Sequence, residues 1–189
     1  INKLDTWNID LITTLSGMFN GCSNFDQNIG SWNVSNVTNM ASIFQLCAKF
    51  NNGGSSSINN WNTSNVINMS NLFASAILFN QNIGFWNVSN VTNFISMFSG
   101  ASAFNNGGSN DINNWIITTS SPVQMQSMFQ NATSFNQPLG NWKVSRVINM
   151  NSMFASAQMF NQNIGNWNVS NVTTMQDMFR GSTFNNGGS

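Results

Sequence analysis

Five aspartates are the side chains of this chain that could act as general acids or bases. The 189 residues contain no Glu, no His and no Tyr, so proton transfer would depend on Asp5, Asp10, Asp26, Asp111 and Asp177. No two of them occupy equivalent places in the recurring pattern of the sequence, and Asp5 and Asp10 only flank the first Trp. The sequence does not indicate a catalytic carboxylate pair, and we predict that the chain is not an enzyme.

Metal ligands are equally scarce in the sequence. Two Cys without any His do not form the ligand set of a zinc site, and neither Cys has a neighbouring base that would activate it. The stretch NNGGSND at 105–111 combines a Gly-rich turn with an acid, as calcium-binding repeats do, but the equivalent loops NNGGSSS and NNGGS carry no acid. We therefore predict a flexible loop there, and no bound metal or cofactor.

A sequence motif recurs along the chain, and the structural repeats that it defines would position any functional site. FNQNIGFWNVSNVTNF at 79–94 reappears almost unchanged at 25–40 and 160–175. One Trp marks each repeat, a Phe follows twelve residues later except at the displaced Phe129, and a second Phe follows that one by five or six. The Trp residues are Trp7, Trp32, Trp61, Trp86, Trp115, Trp142 and Trp167. They define seven repeats, which we number 1 to 7: 1–27, 28–57, 58–81, 82–111, 112–137, 138–162 and 163–189.

Length varies at two fixed points of the pattern. Between the second Phe and the next Trp, a short NQNIG alternates with a Gly-rich segment four residues longer. The other point is an insertion before Met125, in IITTSSPVQM, where repeat 5 loses the NVSNV motif. Insertions confined to such points are typical of loops on one side of a stack of repeats.

Local patterns within a repeat predict its secondary structure. In IGSWNVSNV, Ile29, Trp32, Val34 and Val37 have the spacing of a short strand that points alternate residues inward. The segment after it carries apolar residues every three or four positions (Val37, Met40, Phe44 and Cys47), which predicts a short helix capped by Ser35 or Asn36. We predict a single repeat solenoid over 1–189, leucine-rich-repeat-like, with one parallel strand and one short helical or 3-10 segment per repeat.

The ends of this sequence fall inside repeats, at INKLDTW and FNNGGS. Solenoids need polar terminal caps, and here the apolar faces of the first and last repeats would be uncovered. We expect the segment to be part of a longer array, or to self-associate end to end through a heterologous contact. Caps in flanking sequence are the alternative.

The abundant Asn has a structural interpretation. The residue after the second Phe is Asp or Asn in every repeat: Asp26, Asn51, Asn80, Asn105, Asn136, Asn161 and Asn185. An amide both donates and accepts hydrogen bonds, so stacked repeats would align these side chains into a ladder that satisfies backbone groups at the turn.

Cys22 and Cys47 each lie fifteen residues after their Trp, where four other repeats have Ala or Ser. Equivalent positions in adjacent repeats predict two neighbouring, buried side chains. They are interpreted either as free thiols that pack like small hydrophobic residues, or as a disulfide if the compartment is oxidising.

The run WNVSNVTNM…MF…A…FNQNIG resembles the bacterial surface protein 26-residue repeat, a mycoplasma-lipoprotein-type repeat of unknown function that is itself similar to BspA-like leucine-rich repeats. Local departures are Leu11 and Arg146 in place of the Asn of SNV, and Phe94 in place of Met. The resemblance implies a secreted or surface-exposed solenoid used in adhesion or recognition. It implies no catalytic or cofactor-binding residue.

A candidate interaction face follows the residues around each Trp. Its members are polar and mostly uncharged: Asn33, Ser35, Asn62, Ser64, Asn87, Ser89, Lys143, Ser145, Asn168 and Ser170. We expect it to bind a protein or a glycan outside the cell. An alternative is ice binding by a row of Thr38, Thr92 and Thr173, although Ile67 and Ile148 interrupt that row.

Two classes of partner are disfavoured by charge and hydropathy. Five basic and five acidic groups give no net charge, and the Lys and Arg residues are scattered, so the basic patch of a nucleic-acid surface is missing. No run approaches the ~18–20 apolar residues of a membrane span. We expect neither nucleic acid nor membrane insertion.

Overall fold

The computed structural model describes residues 4–188, and regular secondary structure is sparse within them. Two short strands, β1 (Val123–Gln124) and β2 (Val147–Asn149), pair in parallel. The 3-10 helices are Leu4–Thr6, Asn52–Gly54, Ser56–Asn60, Asn106–Gly108, Asn110–Asn114 and Asn186–Gly188. Over the same residues, no helix combines the length and the apolar character needed to cross a membrane.

Parallel bridges join each repeat to the next at equivalent positions. The bridging residues stand seven positions after the Trp, or nine in repeat 5: Thr14, Asn39, Asn68, Asn93, Gln124, Asn149 and Thr174. The sequence predicted a strand around the Trp itself, in IGSWNVSNV. The pairing lies further along the chain because the residues around the Trp form tight turns, such as the one closed by Val37 N–H on Val34 C=O at 2.9 Å.

Four main-chain hydrogen bonds extend each bridge. At the junction of repeats 2 and 3, the N–H groups of alternate residues donate to carbonyls of the next repeat at 2.8–3.0 Å. The pairs are Met40 to Asn68, Ser42 to Ser70, Phe44 to Leu72 and Leu46 to Ala74. The same four bonds recur at all six junctions, so the register between repeats is held by the backbone.

The segment predicted to be a short helix forms tandem turns instead. Two residues four positions apart have φ between 54° and 79° in every repeat, which no α-helix accommodates. They are Gly17 and Gly21, Ser42 and Leu46, Asn71 and Ser75, Ser96 and Gly100, Ser127 and Asn131, Ser152 and Ser156, and Asp177 and Gly181. The second of each pair lies inside a closed turn, such as the one in which Cys47 N–H donates to Phe44 C=O at 3.0 Å around Leu46. Turns that bond three residues apart produce nearly the same apolar spacing as a helix, which explains the wrong prediction.

Two columns of Phe rings form the centre of the core. Within a repeat the first and second Phe stack with ring centroids 3.7–4.1 Å apart. Rings of one column lie 5.4–5.9 Å from those of the next repeat. Both Phe are buried in repeats 2–6, whereas Trp7 in repeat 1 is 51% exposed.

Candidate functional site

The ladder predicted after the second Phe is confirmed. The side-chain oxygen of each member accepts the backbone N–H of the next, at distances from 2.7 to 3.0 Å along Asp26, Asn51, Asn80, Asn105, Asn136, Asn161 and Asn185. In three repeats it also accepts a Gly N–H, as Asn80 does from Gly107 at 2.9 Å. Each bond joins a side chain of one repeat to the backbone of the next, so this Asn row has a structural role.

The indole of each interior Trp connects two repeats. Its Nε1–H donates to the carbonyl of the apolar residue three positions before the preceding Trp. Trp86 reaches Ile58 at 2.9 Å and Trp142 reaches Ile112 at 2.8 Å. A Trp is required at this place because it fills the core and supplies a donor at its edge.

The Asn of the SNV motif also bonds the preceding repeat. Asn36, Asn65, Asn90 and Asn171 donate their side-chain N–H to backbone carbonyls there, at 2.7–2.8 Å. Much of the recurring Asn is thus explained by contacts between repeats rather than by ligand binding.

The predicted interaction face lies at the surface. Asn33, Asn62, Asn87, Lys143 and Asn168 are exposed, Ser170 is exposed, and Ser35, Ser64, Ser89 and Ser145 are half-buried. Each of the four Asn accepts, through its side-chain oxygen, the backbone N–H two residues later, as in Ser89 to Asn87 at 3.0 Å. The turn fixes the amide, so its NH2 group is presented from one position in each of these repeats.

The row proposed for ice binding is discontinuous. Thr38, Thr92 and Thr173 donate their hydroxyls to the backbone of the preceding repeat, at 2.8–3.4 Å. Val123 of repeat 5 pairs with Val147, and the next residue, Gln124, pairs with Asn149. Ile148 of repeat 6 therefore has no counterpart in repeat 5. The row therefore loses a member at repeat 5.

The five aspartates are separated along the repeats and differ in their hydrogen bonding, and the Oδ1 atom of Asp5 is buried without a partner among the described residues. Asp10 accepts from the Asn33 amide at 2.7 Å, and Asp26 begins the ladder. Hydrogen bonds from Ser109 and Asn82 lower the pKa of Asp111. Asp177 takes a left-handed turn position.

The two cysteines are free thiols, and their environments differ. Cys47 is buried and its Sγ donates to the Phe19 carbonyl at 2.9 Å. Burial, together with the neighbouring Cys22, raises the pKa of Cys47 to about 11. Cys22, in repeat 1, is exposed, so the prediction that both are buried is wrong for Cys22. The disulfide alternative is not realised in this structure.

A groove on the interaction face was missed by sequence reasoning. It has a volume of about 450 Å³, lies between repeats 4 and 5, and is lined by Asn87 and Ser89 of the predicted face together with Phe85 and Ile116. Phe85 is 71% and Ile116 60% exposed. The available signal was that both are apolar at places where the other repeats are polar.

The repeat pattern matches a known family. The model of the family described as Mycoplasma protein of unknown function, DUF285, matches residues 1–110 and 108–188. This chain belongs to the DUF285 family. Comparison with curated proteins and with solved structures gave no match. DUF285 membership confirms the mycoplasma-type repeat inferred from WNVSNVTNM…MF…A…FNQNIG.

The two DUF285 matches meet in the loop at 105–111. One match thus covers repeats 1–4 and the other repeats 5–7, so the family unit contains several Trp-marked repeats. The groove lies at the boundary between the two units.

Proposed function

We propose that this chain is a leucine-rich-repeat-like solenoid, related to BspA-like repeats, that acts in adhesion or recognition outside the cell and performs no catalysis. One parallel bridge per repeat, with four backbone hydrogen bonds at each junction, supports the solenoid interpretation. A stack of this kind builds an extended surface from many equivalent positions, which repeat proteins use for binding.

The observation that carries the proposal is the fixed row of surface amides. Asn33, Asn62, Asn87 and Asn168 occur in repeats 2, 3, 4 and 7, are exposed and have their oxygens bound by their own turns. The Asn33 amide also donates to Asp10, so the donors presented to a partner are chiefly those of the other three. An ordered, uncharged array of donors suits a protein or glycan surface rich in acceptors. Because the amides are already ordered, binding costs little side-chain entropy.

Ice binding is the weaker proposal. The Thr and Ile row that would order water loses a member at repeat 5, and its Thr hydroxyls donate to the backbone. The location outside the cell is supported by the resemblance to bacterial surface-protein repeats, and digestion of intact cells with protease would test it.

The recognition proposal is tested by binding of the purified chain to arrays of glycans and to immobilised extracellular proteins. Asn62→Asp and Asn87→Asp, combined, keep the oxygen that accepts the Ser64 and Ser89 N–H groups but remove the amide donors. We expect binding to weaken at least tenfold. Wild-type chain that binds nothing in either format would contradict the proposal.

A further inference from the structure

We propose that the groove between repeats 4 and 5 is a binding site for a neutral glycan. The inference rests on the recognition function proposed above and identifies where on the face it is concentrated. The site is defined by Phe85 and Ile116 with four polar neighbours: Asn87, Ser89, Asn114 and Thr118.

Two departures from the repeat pattern meet at this groove. The residue before the Trp is Thr6, Ser31, Asn60, Asn114, Asn141 or Asn166 in six repeats, and Phe85 in the remaining one. The residue after the Trp is Asn or Lys in six repeats, and Ile116 in the other. The other repeats stack on one another with polar residues at these two places. Stacking of the repeats therefore does not require Phe85 and Ile116 to be apolar. Exposed apolar surface rimmed by polar groups is typical of binding sites.

The chain between these residues is also built differently. Phe94 takes the place of the Met or Leu found in other repeats and stacks on Trp115, with ring centroids 6.3 Å apart. After Trp115 the NVSNV turn is replaced by the insertion, which brings Thr118 to the groove. The long loop of repeat 4 packs so closely over Gly84 that a Cβ there would overlap Asp111. The loop packing recurs at Gly30 against Ser57, and a smaller groove of about 190 Å³ lies at the equivalent place between repeats 6 and 7. What is specific to repeats 4 and 5 is the apolar lining and the insertion.

The lining indicates the class of ligand. Of the described residues that line the groove, none carries a charge, so a phosphorylated, sulfated or otherwise anionic ligand would gain no ion pair there. Asn87 uses its side-chain oxygen for the Ser89 N–H and presents amide N–H groups, while Asn114 and Thr118 are exposed and can donate or accept. A sugar offers apolar C–H faces and hydroxyls on the same ring. It would place a C–H face on Phe85 and its hydroxyls against the amides.

A protein partner fits this surface less well. A stable protein interface buries about 800 Å² on each side with a largely apolar centre. Here the exposed apolar part consists of two side chains, surrounded by Asn and Ser residues. A protein partner that buried these polar groups would have to supply a hydrogen bond to each of them to offset the cost of their desolvation. The volume of about 450 Å³ falls in the range of about 300–1,000 Å³ of small-ligand sites.

The test uses the purified chain on an array of neutral oligosaccharides without sialic acid, sulfate or phosphate, followed by calorimetry on the tightest. Phe85→Asn and Ile116→Asn are measured separately, since Asn is a residue that other repeats carry at both places. Leu78→Asn, which changes another exposed apolar side chain in repeat 3, is the matched control. Thermal melting monitored by circular dichroism shows that each variant is folded.

We expect each groove variant to weaken binding at least tenfold and the control to bind like the wild type. Equal binding by Phe85→Asn, Ile116→Asn and wild type would overturn the site, yet leave recognition by the face standing. Binding of anionic glycans or apolar peptides alone would overturn the ligand class. If no glycan binds, the glycan site is refuted. The proposed recognition function would then depend on protein binding, which the Asn62→Asp, Asn87→Asp variant should weaken.

Discussion

The indole Nε1 of Trp86 lies 2.9 Å from the carbonyl oxygen of Ile58 and donates a hydrogen bond to it. Trp86 is 2% exposed and Ile58 is fully buried, so no water can replace this donor. The bond crosses the junction of repeats 3 and 4, where the Phe rings also stack. Core packing and polar satisfaction between repeats therefore depend on the same residue.

Truncation of Trp86 should separate the two contributions. Trp86→Ala should lower the free energy of unfolding by about 3–5 kcal/mol through the lost packing. Trp86→Phe keeps a ring but removes the indole donor, and the Ile58 carbonyl still accepts the Trp61 N–H at 3.2 Å. It should therefore cost only about 0.5–1.5 kcal/mol, the net worth of one hydrogen bond. Trp7→Ala is the control, because Trp7 is 51% exposed and its loss should cost about 1 kcal/mol or less. Urea unfolding measures all three, and a Trp86→Ala variant as stable as the parent would refute this packing.

The two thiols should differ in reactivity. A polar thiol reagent should label exposed Cys22 rapidly in the folded chain, whereas Cys47 should react only on unfolding, because it is buried and its pKa is raised to about 11. Mass spectrometry after brief labelling gives the site. Rapid modification of Cys47 without unfolding would show that the register of repeats 1 and 2 is wrong.

The raised pKa of Cys47 also predicts a pH dependence of stability. Its ordinary value is 9.0, so the folded state holds the proton over a range in which the unfolded state has lost it. The free energy of unfolding is therefore unaffected by this thiol below pH 9.0, and it decreases as the pH rises from 9.0 towards about 11. Cys47→Ala, the residue at that place in several repeats, should show a smaller decrease in stability between these two pH values. Identical decreases in both chains would contradict the assignment.

The left-handed turn positions predict which substitutions the repeats accept. Leu46 has φ of 62° and is 53% exposed, whereas Gly21, Gly100 and Gly181 hold the same place in other repeats. Leu46→Gly should therefore stabilise the fold by up to about 1 kcal/mol. Gly100→Leu should destabilise it, since a Cβ there would lie 3.2 Å from the Ser75 Oγ at a φ of 72°. A melting temperature that falls in Leu46→Gly, or rises in Gly100→Leu, would contradict the left-handed conformation at these positions.

Spacing in the sequence was sufficient to predict the register and the core. Trp, both Phe and the Asn after the second Phe recur at set distances, and the structure hydrogen-bonds the Asn ladder as predicted and stacks the Phe rings of successive repeats. Local conformation was harder, because Val37, Met40, Phe44 and Cys47 have a spacing that a helix and tandem turns share. The Gly, Ser and Asn residues at the two left-handed positions distinguish these conformations, and they were the signal that the helix prediction overlooked.

The candidate site could be predicted only in part, for a different reason. The recurring surface residues were recognised because they repeat, whereas Phe85 and Ile116 matter because they do not. Their meeting in one groove depends on the insertion after Ile117, whose path the sequence pattern does not define. A comparison of each position across the repeats would have found both residues but not their proximity.

The recurring Asn residues hold the repeats together through side-chain oxygens that accept backbone N–H groups of the next repeat. Asn80 tests this role most directly, because its side-chain oxygen accepts both the Asn105 N–H, at 2.8 Å, and the Gly107 N–H, at 2.9 Å. In urea unfolding, Asn80→Ala should lose about 1–3 kcal/mol, since both donors lose their acceptor. Asn80→Asp should stay within about 1 kcal/mol of the wild type, because it keeps the acceptor as Asp26 does in repeat 1. An Asn80→Ala chain as stable as the wild type, or an Asn80→Asp chain as damaged as Asn80→Ala, would contradict the account.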